Sequence, residues 1–77
     1  METLSREVTD KQKEACAVAT MRRMIEKYSE KNEISFETAF FDFTKSNIYE
    51  ALFDFSTNIW MEGPDYLMGL YEEALSE

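Results

Sequence analysis

The strongest limit on how this chain can be stabilised comes from one residue, Cys16, which is the only cysteine in a sequence without histidine. A single thiol cannot form an intrachain disulfide, and the absence of histidine removes the commonest metal ligand and general base. A chain of 77 residues must then depend on a small hydrophobic core, on oligomerisation, or on both. Because Cys16 lies among Ala15, Ala17 and Val18, we expect it to be buried as a small apolar side chain.

Apolar residues recur with helical spacing in four segments, and no segment shows the sustained alternation of a strand. The first helix is predicted over about residues 10 to 30, with Thr9 as its N-cap and Gln12 completing a capping box. The second is predicted over about 36 to 44, behind the N-cap Ser35. Both segments are therefore expected to be amphipathic helices.

A third helix is predicted over about 48 to 58, with Asn47 as N-cap and Glu50 three residues later in a second capping-box pattern. Its apolar stripe is Ile48, Ala51, Leu52 and Phe55, and the helix is expected to end near Thr57 and Asn58. An alternative concerns Asn58 to Met61, which would form a short extended piece rather than a helical tail.

The fourth helix is predicted over about 64 to 76, because Gly63-Pro64 marks a boundary and proline is favoured at the first helical position. The whole chain, 1–77, is expected to form one all-α domain. The predicted architecture is a small bundle of about four helices, in which a long N-terminal helix is followed by three shorter ones.

Charge is distributed unevenly along the chain. Residues 1–45 contain eight bases and nine acids, whereas residues 46–77 contain seven acids and no base. A net charge of −8 without a basic patch disfavours direct nucleic-acid binding. The acids of the C-terminal half are predicted to form an acidic face made of Glu50, Asp54, Glu62, Asp65, Glu72 and Glu73.

No apolar run approaches the roughly 18 residues that cross a bilayer, so we expect no membrane association and a cytoplasmic location. The sequence also contains no pattern typical of a catalytic site or of calcium binding. Glu72 and Glu73 are adjacent on a helix, and their side chains should point about 100° apart, which cannot form a focused carboxylate pair. We therefore predict that the protein is not an enzyme and requires no cofactor or metal.

Aromatic residues are unusually abundant, with six Phe, four Tyr and one Trp. Phe41 and Phe53 each lie about 100° from a neighbour on the main apolar stripe of their helices. Helices that are apolar around much of their circumference are either central in the fold or buried against another chain. The candidate contacts with a partner are Phe41, Phe53, Trp60 and Tyr66.

The segment SNIYEALFDFSTNIWMEGPDYL, Ser46 to Leu67, carries a family resemblance. Its markers are the Ile48-Tyr49 helix start and the turn Gly63-Pro64-Asp65-Tyr66. Together with the polar-flanked first helix and the acidic last one, the chain resembles small bacterial helical proteins encoded beside ADP-ribosyltransferase-like toxin domains, over residues 15–75. The resemblance implies an accessory or neutralising partner of a toxin, and it assigns no catalytic residue.

Three functions are compatible with these features. The first is a protein-interaction module, antitoxin-like in its most specific form, whose partner is expected to be basic because complementary charge steers association. The second is an acidic nucleic-acid mimic that inhibits a DNA- or RNA-binding protein through its acidic face. The third is a small enzyme or regulatory homo-oligomer with a site between subunits.

Overall fold

The computed structural model describes residues 9–76, which form an all-α bundle. Four α-helices and two short 3₁₀ turns account for the secondary structure of this range, and it contains no strand. Among the described residues, no helix is both long enough and apolar enough to cross a membrane. The fold class expected from the sequence is confirmed.

The first helix, α1, spans Asp10–Asn32. Its N-terminus has the expected capping box. The backbone N–H of Gln12 donates to Thr9 Oγ1 at 3.1 Å, and the backbone N–H of Thr9 donates to Gln12 Oε1 at 2.9 Å. The helix ends at Glu33, which adopts a left-handed conformation with a φ of 56°. It is therefore two residues longer than the sequence pattern predicts.

The second helix, α2, spans Phe36–Thr44, the range that its apolar spacing predicts. Ser35 is the N-cap, and its hydroxyl accepts a hydrogen bond from the Thr38 amide at 3.1 Å.

The third helix, α3, spans Asn47–Phe53 and is capped by Ser46, not by Asn47 as the sequence suggested. The Ser46 hydroxyl accepts from the Tyr49 amide at 3.3 Å and donates to the Phe43 carbonyl at 2.7 Å. The Ser46 side chain thus forms hydrogen bonds with backbone groups at the end of α2 and at the start of α3. With Ser46 as the N-cap, α3 begins at Asn47.

The prediction that α3 continues to residue 58 is wrong, because the helix ends at Phe53 and is followed by two 3₁₀ turns, Phe55–Thr57 and Ile59–Met61. Asp54 leaves the helical conformation and accepts from the backbone amide and the hydroxyl of Ser56. Asn58 has a φ of 62°, which separates the two turns. The extended alternative for this segment is wrong as well, since Ile59–Met61 is helical.

The last helix, α4, spans Pro64–Leu75. Gly63 is its N-cap and Pro64 occupies the first helical turn, as expected from the Gly-Pro pair.

The core lies between α1 and the elements that surround it. α1 contacts α2, α3, α4 and the second 3₁₀ turn, so it is the central helix of the bundle. Phe43 of α2 and Tyr71 of α4 meet with ring centroids 5.0 Å apart in an edge-to-face arrangement. The buried apolar residues are Ala17, Met21, Met24, Ile25, Ala39, Phe43, Leu52, Leu67 and Tyr71.

Candidate protein-binding surface

Two opposite sides of α2 each carry a phenylalanine, one buried and one exposed. Ala39 and Phe43 are buried against the core, with exposures of 1% and 0%. At about 100° per residue, Phe41 lies roughly 180° from the direction that these two residues define. Its ring is 61% exposed. The helix therefore presents one large aromatic side chain directly away from the molecule.

Two further phenylalanines extend this exposed region. The rings of Phe36 and Phe40, one helical turn apart, are stacked with centroids 6.2 Å apart and an interplanar angle of 9°. Each is 38% exposed. We call Phe36, Phe40 and Phe41 together the α2 aromatic face. A shallow concavity of about 430 Å³ lies over it, with Glu37 and Thr38 as its other lining residues.

Glu37 and Lys45 are the charged residues of this helix that lie along its exposed side with Phe41, whereas Arg22, Glu26 and Glu30 of α1 line a second concavity at Phe36. The Lys45 ammonium nitrogen lies 4.2 Å from the centroid of the Phe41 ring, a cation–π geometry. Within residues 9–76, neither Glu37 nor Lys45 forms a salt bridge. Glu37 and Lys45 are therefore an acid and a base on either side of Phe41 whose charges are not paired with each other or with the described remainder of the chain.

The other predicted contact residues do not join Phe41. Phe53 is half-buried and packs on Tyr49 with ring centroids 5.2 Å apart. Trp60 is also half-buried, and its indole N–H donates to the Phe55 carbonyl at 3.2 Å. Tyr66, on α4, is 52% exposed. None of these three residues lines the concavity over α2.

The helical spacing of Phe36 and Phe40 places them on the same face of α2 as the buried Ala39 and Phe43, but the structure places them at the edge of the core. Four apolar residues of α2 share a face, but only Ala39 and Phe43 are covered by the rest of the chain. This nine-residue helix carries four phenylalanines and has more aromatic surface than the neighbouring helices cover. That excess is the sequence signal for the exposed face.

The residues of the predicted acidic face have different environments. Asp65 accepts from Lys27 Nζ at 2.7 Å, and Glu72 accepts from Lys31 Nζ at 2.8 Å, so two of the six carboxylates pair with α1. A third, Asp54, caps the first 3₁₀ turn, and its hydrogen bonds from the Ser56 hydroxyl and amide lower the pKa of its carboxyl group. The other three carboxylates, Glu50, Glu62 and Glu73, are exposed and form no salt bridge within residues 9–76.

The expectation that Cys16 is buried is wrong, because the thiol is exposed. On α1, Cys16 lies about 100° from Ala17, which occupies the buried stripe. Apolar neighbours in sequence therefore do not place a residue in the core. Over residues 9–76, no group of three or more Cys, Asp or Glu side chains is arranged to hold a metal ion.

Comparison of the chain with known proteins identified no relative. No family model, no curated protein and no solved structure matches the chain. The function of the α2 aromatic face is therefore inferred from its geometry and chemistry.

Proposed function

We propose that this protein is a cytoplasmic helical protein-interaction module that binds its partner through the α2 aromatic face. The observation that carries the proposal is the outward direction of Phe41, 61% exposed, beside the stacked and partly exposed rings of Phe36 and Phe40. Contiguous exposed apolar surface is typical of interaction sites. Covering an aromatic ring is favourable at roughly 25 cal/mol per Å² of apolar area removed from water.

The chemistry of the concavity favours binding over catalysis. Its lining is aromatic, and Glu37 is the only ionisable residue among the side chains that form it. Acid–base catalysis by carboxylates depends on a pair of groups in environments that separate their pKa values. One carboxylate on a shallow, exposed surface does not supply such a pair.

An antitoxin-like role is the most specific form of this proposal. It is suggested by the resemblance to proteins encoded beside toxin domains. The markers of that resemblance, Ile48-Tyr49 and Gly63-Pro64-Asp65-Tyr66, lie outside the α2 aromatic face. The proposed surface therefore does not depend on the toxin assignment.

Quantitative pull-down with matched variants tests the proposal. Phe41→Ser and Tyr66→Ser each remove one exposed aromatic ring, but only the first lies on the α2 aromatic face. The wild type and Tyr66→Ser should retain the same protein in stoichiometric amount, whereas Phe41→Ser should lose it. Equal retention by both variants, or no stoichiometric protein together with a monomeric chain, would overturn the proposal.

A further inference from the structure

The exposed side of α2 has a charge pattern that is complementary to itself. Glu37, Phe41 and Lys45 are spaced i, i+4 and i+8, so they form one ridge along the outside of the helix. The ridge has an acid at one end, an aromatic ring at its centre and a base at the other end. A two-fold axis that passes between the two ridges at the level of Phe41 places each Glu37 opposite the Lys45 of another copy.

We propose that the partner of the α2 aromatic face is a second copy of this chain, bound through a two-fold symmetric, antiparallel contact between two α2 helices. The inference rests on the proposed function and names the occupant of its surface. Contacts of this kind are isologous, which means that the same patch is used on both subunits.

Helix packing provides a geometry for this contact. Ridges formed by residues four apart interdigitate when two helices cross at about −50°. In an antiparallel pair with this crossing, the two Glu37–Phe41–Lys45 ridges run side by side. Each Phe41 then lies next to the concavity that Phe36 and Phe40 line on the other copy.

The position of Lys45 favours a second copy over a basic partner. Lys45 is the only base in the chain after Lys31, and it lies on the Phe41 ring at the centre of the candidate surface. A basic partner would place like charge against it. A second copy instead supplies Glu37, which lies on the same ridge and has no salt bridge within residues 9–76.

The expected dimer is weak. α2 has nine residues, and a contact between two such helices is smaller than the roughly 800 Å² per partner of a standard interface. Each copy also has a net charge of −8, so long-range repulsion opposes association. We expect a dissociation constant of roughly 100 μM.

Charge exchange in the full-length protein tests the contact, with sedimentation velocity measured from about 10 μM to 1 mM. Glu37→Lys and Lys45→Glu each oppose like charges at both ends of the contact, and each should weaken self-association by about tenfold or more. An equimolar mixture of the two variants restores opposite charges at both ends. The mixture should therefore associate about as strongly as the wild type, as should the double variant.

The mixture also removes an ambiguity about folding. Glu37 lies in the first turn of α2 and Lys45 at its C-terminal end. Both charges therefore interact favourably with the helix dipole. Either variant can lower helix stability within one chain, and circular dichroism reports this loss. Mixing cannot reverse an effect within each chain, so recovery on mixing identifies a contact between chains. Glu50→Lys, an exposed change on α3, is the control and should associate at least as well as the wild type.

Two results would overturn the second-copy proposal. One is a wild-type chain that remains monomeric at about 1 mM; the other is a mixture that associates no better than its separate components. Neither result tests whether the α2 aromatic face binds a different protein, which the pull-down measures. If Phe41→Ser loses a different protein that the wild type retains, the broader binding function is supported. Retention of the same stoichiometric protein by both Phe41→Ser and Tyr66→Ser would show that the α2 aromatic face is not the binding surface.

Discussion

Lys27 Nζ on α1 lies 2.7 Å from Asp65 Oδ1 in the first turn of α4. One helical turn along α1, Lys31 Nζ lies 2.8 Å from Glu72 Oε2. The bases of the N-terminal half thus compensate part of the acidity of the C-terminal half. This pairing gives the uneven charge distribution a structural role, since it links the central helix to the last one.

The contribution of one such pair can be measured with two neighbouring carboxylates. Glu72→Gln removes the partner of Lys31, whereas Glu73→Gln changes an exposed residue beside it that forms no salt bridge within residues 9–76. Both changes remove one negative charge near the C-terminus of α4, so dipole effects are similar. Glu72→Gln should be less stable than Glu73→Gln by about 0.5 kcal/mol in urea unfolding at low salt.

High salt supplies the control for that comparison. The difference should disappear at about 1 M NaCl, where exposed charges are screened over about 3 Å. Equal stability of the two variants at low salt would mean that the Lys31–Glu72 pair contributes nothing measurable.

The two sides of α2 should respond very differently to truncation of a phenylalanine. Phe43 is fully buried, with its ring centroid 6.0 Å from Tyr49 and 5.0 Å from Tyr71. Phe43→Ala should cost about 3–5 kcal/mol, because it removes apolar contacts and leaves a cavity. Phe41→Ala removes an exposed ring and its contact with Lys45, and it should cost about 1 kcal/mol or less.

Urea unfolding followed by circular dichroism measures both changes. Because a domain of this size has a narrow stability margin, Phe43→Ala is expected to be largely unfolded at 25 °C. A Phe41→Ala variant as unstable as Phe43→Ala would contradict the outward direction of Phe41.

The helix starts were predictable where the sequence offered only one candidate N-cap. Thr9 with Gln12, Ser35, and Gly63 with Pro64 each lie at the predicted boundary. The start of α3 was not, since Ser46 and Asn47 are adjacent and both are good N-caps. In the structure the Ser46 hydroxyl also donates to the Phe43 carbonyl near the end of α2, a contact that N-cap preferences do not reveal.

The candidate site was only partly predictable for a similar reason. Helical spacing correctly separated Phe41 from the buried side of α2. It did not separate Phe36 and Phe40 from Ala39 and Phe43, because periodicity identifies residues that share a face and not how much of that face the rest of the chain covers. The coverage depends on where α1 lies against α2, which is a tertiary property.

Stability should decrease at alkaline pH because of Tyr71. Burial, followed by the nearby Tyr28 and Asp42, raises the pKa of the Tyr71 hydroxyl above its ordinary value. The unfolded chain therefore ionises first, so the stability linked to the neutral hydroxyl is fully present below about pH 10 and is lost as pH rises through the folded-state pKa.

Two tyrosine variants isolate this effect. Tyr71→Phe should flatten the decrease in unfolding free energy as the pH rises above about 10. Tyr66→Phe, which changes an exposed ring of the same helix, should retain the wild-type pH profile. Identical profiles for all three proteins would exclude Tyr71 as the cause.

Trp60 should report the integrity of the first 3₁₀ turn. Asp54 stabilises this turn through hydrogen bonds from Ser56, and the Trp60 indole donates to the carbonyl of Phe55, the first residue of the same turn. Because those bonds lower the pKa of Asp54, the stabilisation is present above the unfolded-state pKa of about 3.9 and is lost as pH falls through the lower folded-state value.

Asp54→Ala should therefore change Trp60 fluorescence at neutral pH towards that of the acidified wild type. Glu62→Gln, an exposed carboxylate two residues from Trp60, is the matched control, and a wild-type emission spectrum in Asp54→Ala would show that the cap does not hold the turn.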